Sequence, residues 1–308
     1  MGNPREERGR EGLRGTPEEM TEPAPVTSRR QALSAEADLP GSADVADFYE
    51  LHQEWPREVG RAVAEHLLSA LGPPPRRCLF LGSATGVNDV LPFARLADLR
   101  DRVVGGDVEP AYLGRLAEHA RREGLQNVQV RRLDVQKDLA NLETFDLVTL
   151  FFVIHRLSDW QGVVAPLVGL VGPRGSLYVS EFAGPSGAIF LSNERGGGLS
   201  DPVSRMIRRY FELLPEPFDP PLKSSRIGPV REAFAQHLRP SGFRDFDWPQ
   251  RVTVRDVYAK IESQAYAPYF GTHPSPDVLD RLRREFEPDW PRTVELTETV
   301  RVHRFLRT

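Results

Sequence analysis

Cys78-Leu79-Phe80-Leu81-Gly82-Ser83-Ala84-Thr85-Gly86-Val87 reads as an apolar β-type run, a glycine turn and the start of a helix. Two further pieces repeat the theme. Val103-Val104-Gly105-Gly106-Asp107 and Val130-Arg131-Arg132-Leu133-Asp134 each carry a β-type run into an acid. Three strand ends in this order describe one edge of an open α/β sheet, and ligands of such sheets bind at that edge.

The pattern spreads in both directions from there. Strands are predicted at about 77–82, 102–107, 128–134, 145–152 and 176–182. Helices fill the gaps, as at Pro110–Glu123 and Ser158–Val171. Regular β-α alternation implies a parallel sheet with right-handed crossovers. Upstream, Val45, Phe48, Tyr49, Leu51, Val59, Val63, Leu67 and Leu71 recur at helical spacing, interrupted by Pro56. Residues 183–240 break the rhythm and are expected to form an inserted helical lid, with one helix from Asp201-Pro202 to Leu214 and another over Gly228–Leu238. The end returns to β at Phe243–Val254 and Thr293–Leu306, with helices near Val254–Ala265 and Pro276–Phe286 between them. Residues 1–40 are rich in Glu, Arg, Pro, Gly and Ser and nearly free of aromatics. Such a stretch buries too little apolar area to offset the entropy of ordering, so a disordered tail is expected there and one folded domain over 41–308.

Bulk composition narrows the function classes. Forty per cent of the 308 residues are hydrophobic, enough for a core. Forty basic and 44 acidic residues leave a net charge of −4, so the totals carry no electrostatic footprint for nucleic acid. Cys78 is the one cysteine, which excludes an internal disulfide. No apolar run approaches the roughly 18 residues of a membrane span. No signal-peptide pattern opens the sequence, and a cytoplasmic protein with no membrane partner is expected. The histidines show no metal-ligand spacing, so no metal is assigned.

The strand ends have a chemistry. Gly82 and Gly86 let backbone approach a ligand closely, because glycine has no Cβ to clash. Asp107, 25 residues beyond Gly82, is placed to accept hydrogen bonds from both hydroxyls of a ribose. Asp134 is placed to accept from an exocyclic amine such as that of adenine. Phe151-Phe152 ends the fourth strand, where an aromatic wall would face the ligand. A nicotinamide fingerprint would need a third glycine at position 87, which is Val87.

With these residues in place, the chain resembles the class I S-adenosylmethionine-dependent methyltransferases, particularly the small-molecule group. The resemblance covers about residues 45–182. It is carried by Leu81-Gly82-Ser83-Ala84-Thr85-Gly86, Val104-Gly105-Gly106-Asp107-Val108-Glu109-Pro110, Leu133-Asp134-Val135, the run Phe145 to Leu157, and Leu170-Val171-Gly172-Pro173-Arg174-Gly175-Ser176-Leu177. It implies a Rossmann-like, seven-stranded, mostly parallel sheet with helices on both faces and the last strand antiparallel. It further implies that S-adenosylmethionine is the cofactor. Gly82, Ser83, Ala84 and Gly86 would line its methionine portion, Asp107 with Val108 its ribose side, and Asp134-Val135 its adenine. The family usually has an acid where Phe80 stands and a glycine where Ala84 stands.

Methyl transfer from a sulfonium mainly needs proximity, alignment and exclusion of water. A base is useful where the acceptor must lose a proton. His155, after the fourth strand, and Glu181, ending the fifth, are the candidates. Tyr49 on the leading helix is a candidate to fold over the methionine end, with His52 beside it. Arg208 and Tyr210 in the lid are candidates for a small-molecule acceptor. The expected function is methyl transfer to oxygen, nitrogen or carbon of such an acceptor. The alternative is an inactive binding or regulatory protein of the same fold, suggested by Phe80 and Ala84. A nucleic-acid enzyme is disfavoured, because no Asn/Asp-Pro-Pro-aromatic run follows the fourth strand.

Overall fold

The computed structural model describes residues 46–47, 50, 55–154, 157, 159–183, 202–213, 223–262 and 275–307. The strands are β1 (Arg77–Leu81), β2 (Arg102–Asp107), β3 (Val128–Arg132), β4 (Phe145–Phe151), β5 (Val171–Phe182), β6 (Arg239–Thr253) and β7 (Thr293–Leu306). The helices are α1 (Arg57–Ser69), α2 (Val90–Leu96), α3 (Pro110–Arg122), α4 (Val164–Leu170), α5 (Pro202–Leu213), α6 (Lys223–Ala235), α7 (Val254–Glu262) and α8 (Pro276–Phe286).

One sheet runs in the order β3-β2-β1-β4-β5-β7-β6. β1 to β5 are parallel, and β7 lies antiparallel between β5 and β6. Chain order reverses between β1 and β4, so the crevice at their carboxyl ends is the topological switch point of the sheet. Alternation along the central strands explains why they are buried on both faces. Leu79, Leu81, Val148, Leu150, Leu177 and Val179 belong to one core. Cys78, Phe80, Val103, Leu147, Phe151 and Tyr178 belong to the other.

Several boundaries follow local chemistry. Pro56 precedes α1, and Pro110 opens α3 behind the Glu109 side chain, which accepts from Ala111 N at 3.1 Å. Ser275 caps α8, accepting from Val278 N. The helix expected from Ser158 is shorter, since α4 starts at Val164. The Asp159 carboxylate there accepts from Gly162 N at 2.8 Å, a local turn that competes with helix. β5 has two paired stretches: Val171 opposite Phe145, then Ser176–Ser180 opposite Leu147–Phe151. The proline-glycine turn lies between them, with Arg174 at φ +65°.

The stretch expected as a lid divides between two places. On α6, Val230 and Phe234 join the sheet core, and the Phe234 ring centroid lies 5.5 Å from that of Phe305. That makes α6 the crossover between β5 and β6. Helix α5 instead packs with α7 and α8 around Val203, Met206, Tyr210, Val257, Ile261 and Leu282, a separate core of its own. Among the described residues no helix is long and apolar enough to cross a membrane.

Candidate functional site

The turn after β1 is built from backbone. Gly82 N and Ser83 N both donate to Gly106 O, at 2.8 and 3.1 Å, which fastens the turn to the end of β2. Gly82 sits at φ +67° and a Cβ there would run into Val153 Cγ2. Both conditions require glycine. Ala84, where the family has glycine, also has positive φ, at +45°. An alanine pays a modest strain for this region, of order 1 kcal/mol or more. What holds it is Asp107: Ala84 N donates to Asp107 Oδ2 at 2.9 Å. Asp107 Oδ1 accepts from Glu109 N at 3.0 Å. The carboxylate therefore staples the turn to the β2 end, and each oxygen keeps a further lone-pair direction for a hydroxyl.

The register brings the neighbouring candidates to the same edge. Leu81 pairs with Gly106, and Asp107 pairs with Arg132, one residue short of Leu133-Asp134. Leu133 N donates to Asp107 O at 3.0 Å. Val108 is an exposed apolar side chain at this rim, whereas Val135 is buried in the sheet core. Asp134 accepts from Gln136 N at 2.9 Å and pairs with Lys137 at 2.8 Å. The Lys137 hydrogen bond, then the Gln136 amide, hold its carboxyl below the usual range. Gly82, Ser83, Ala84, Gly86, Asp107, Val108 and Asp134 thus share one edge.

Phe151 does not present an aromatic wall: it is buried in the core that also holds Phe80. Alternation along β4 turns its ring inward. The half-buried aromatic at the edge is Phe152, at φ +55°, with its N–H donating to Ser180 Oγ at 3.2 Å. Its ring meets Trp55 edge-on at 5.7 Å, and Trp55 also lies 6.4 Å from Trp248. Trp55 N donates to Asn88 Oδ1 at 2.8 Å, so the segment before α1 is tied to the loop after the glycine turn. Ahead of it, Asp47 pairs with Arg115 of α3, and Glu50 meets His119 of α3 at 2.8 Å. Trp55, Asn88 and Asp89 escape a reading of the sequence. Asn88-Asp89 before an apolar run looks like a plain helix cap, and Asp89 does accept from Val90 N.

Glu181 stands one residue beyond the Phe151–Ser180 pair, at the same carboxyl edge but on the opposite face of the sheet. Its Oε1 lies 2.8 Å from Nε2 of His303 on β7, whose side chain is buried while that of Glu181 is partly exposed. His155 and Tyr49 fall outside the described residues, as does His52.

Arg208 and Tyr210 are not brought to the strand ends by any described contact; both lie on α5, among α7 and α8. Tyr210 is buried in that helical core, and burial pushes its phenol up to about 12. Arg208 is exposed and lines a cavity of about 270 Å³ with Arg205, Arg209, Glu285 and Asp289. Charges there are already matched: Arg205 pairs with Asp289 and Arg209 with Glu285, both at 2.9 Å.

The edge fits a sulfonium nucleoside. It has a glycine turn held at positive φ by backbone hydrogen bonds to the end of β2, and a carboxylate at that end. Ser83 Oγ and Thr85 Oγ1 are buried in the turn without a hydrogen-bond partner.

Comparisons with known proteins agree. Residues 81–177 match the methyltransferase domain family. A demethylmenaquinone methyltransferase of Streptomyces avermitilis is 27% identical over 221 residues, spanning 67% of this chain and 85% of that protein. The YcgJ protein of Bacillus subtilis superposes with a TM-score of 0.50 at 13% identity, over 81% of this chain and 98% of that one, and shares the fold.

Proposed function

Starting from a class I S-adenosylmethionine-dependent methyltransferase domain, which this chain carries, we propose that the protein methylates a small-molecule acceptor at oxygen, nitrogen or carbon. The observation that carries the reading is the stapled turn at the switch point of the sheet: Gly82 and Ala84 at positive φ, Gly82 N bonded to Gly106 O and Ala84 N to Asp107. The small-molecule acceptor is supported by the relative, named for a menaquinone precursor, whose length this chain largely spans, and by the balanced charge of the chain.

When bound, S-adenosylmethionine supplies a methyl group activated by a positive sulfur for in-line displacement. The chain's own residues bind and align. The backbone of Gly82, Ser83, Ala84 and Gly86 holds the methionine portion. Asp107 accepts from the ribose hydroxyls with the lone pairs its amide bonds leave free. Val108 lies beside the ribose, and Asp134 flanks the adenine. Trp55 and Phe152 exclude water beside β4, which strengthens polar interactions in the crevice. Glu181, held by His303, faces the acceptor and accepts a proton from a hydroxyl or amine. An aromatic or quinol acceptor suits the Phe152–Trp55–Trp248 group by ring stacking.

Calorimetric titration with S-adenosylmethionine and S-adenosylhomocysteine, followed by labelled methyl transfer to a panel of hydroquinones and phenols, tests this. Binding of both and transfer to at least one acceptor are expected. Binding of neither would sink the reading.

A further inference from the structure

The turn departs from the family's pattern at one charge. Phe80 stands where an acid is usual, and its ring is fully buried, 5.1 Å from that of Phe93. Nothing at position 80 can meet an ammonium. Another acid is close by. Asp89 follows Gly86 by three residues and is only 5% exposed. Its Oδ1 accepts from the adjacent Val90 N at 2.6 Å. Neither Asp89 nor Asp107 has an ion-pair partner among the described residues, and the charge of Asp107 acts on Asp89.

Two buried carboxylates that repel each other and lack a cation are costly. The same segment holds a second unmet need, the buried and unpartnered hydroxyls of Ser83 and Thr85. A ligand that brings a cation and hydrogen-bonding groups to this loop answers both. The leading segment closes on the loop as well, through Trp55 N and Asn88 Oδ1.

We propose that Asp89 replaces the acid missing at Phe80 and binds the ammonium of the methionine portion of S-adenosylmethionine. This rests on the methyltransferase reading and names the group that completes its cofactor site. Burial, and then the charge of Asp107, push the Asp89 carboxyl up to about 7. In the ligand-free protein it is therefore part-protonated near neutrality. An ammonium selects the carboxylate, so binding expels a proton. Among the described residues, the Asp107 carboxylate at the end of β2 is the charged group acting on Asp89, and no cation of α1, α2 or α3 pairs with it. Affinity for an ammonium-bearing ligand then rises about tenfold from about pH 6 to about pH 8.

Two probes separate the ammonium from the nucleoside. S-Adenosylhomocysteine carries it; methylthioadenosine shares the adenosine and thioether but lacks it. Titration calorimetry of the full chain with both, at each pH, is the measurement. Asp89→Asn keeps the size and the acceptor for Val90 N. It should weaken S-adenosylhomocysteine about tenfold or more at the higher pH, leave methylthioadenosine within about twofold, and flatten the pH dependence. Equal weakening of both probes, or unchanged S-adenosylhomocysteine affinity, would overturn the proposal. So would a wild-type affinity for S-adenosylhomocysteine that does not change with pH, a readout that needs no variant. Wild-type protein that binds neither probe sinks the methyltransferase reading instead.

Discussion

The carboxyl edge of β1, β2 and β3 and the helical core of α5, α7 and α8 are built on opposite principles. At the edge, backbone atoms make the site: amides of Gly82 and Ser83 meet Gly106 O, and Ala84 N meets Asp107. In the helical core, side chains make the structure: Met206, Tyr210, Ile261 and Leu282 interlock, and Arg–acid pairs cover the outside. A backbone-built site leaves its mark in residue types at particular positions, because only glycine or a well-held alanine tolerates positive φ there. A side-chain core leaves an amphipathic pattern that looks the same whether the apolar face meets a ligand or another helix.

The sharpest way to break this contrast is to put charge back at the edge. Phe80→Glu restores the acid usual in the family, but it places a carboxylate in a fully buried pocket against Phe93. Loss of the ring alone is worth about 3–5 kcal/mol, and the unpaired charge adds to it. A fall in Tm large enough to leave the chain unfolded near room temperature is expected by circular dichroism. A folded variant with tighter cofactor binding would show that position 80 faces the ligand after all.

A smaller effect is expected from Asp107→Ala. It removes both the ribose acceptor and the staple on Ala84 N and Glu109 N. Cofactor affinity should drop by about tenfold or more, with a modest fall in Tm as the strained turn loosens. Unchanged affinity in calorimetry removes Asp107 from the site.

The smallest effect is expected at the helical core. Tyr210→Phe keeps the ring among Val203, Met206 and Leu282. Methyl transfer and cofactor affinity should stay within about twofold. A loss of transfer with Tm intact would return Tyr210 to the acceptor site.

The elements differ in how far they could be read from the sequence. α8 was predicted at Pro276–Phe286 and β7 at Thr293–Leu306, and both are found there, because Ser-Pro at the start of α8 and the β-branched run of β7 act locally. Asp107 and Asp134 were placed from strand ends, and register brings them to one rim. Of Phe151-Phe152, expected together as an aromatic wall, Phe152 is half-buried at the edge and Phe151 is buried in the core. The sequence pattern predicts one inserted lid, yet α6 lies on the sheet and α5 does not.

What the order of residues decides here is the ligand class, through the spacing of Gly82, Gly86, Asp107 and Asp134. Those positions constrain backbone and strand ends, which are local properties of a few neighbouring residues. What needed the folded chain is the electrostatics of the site. Phe80 packs inward, Asp89 meets Asp107 without a counter-ion, and Trp55 reaches Asn88 from 33 residues away. Burial and charge pairing depend on every element packed around a group, and no stretch of sequence carries that information alone.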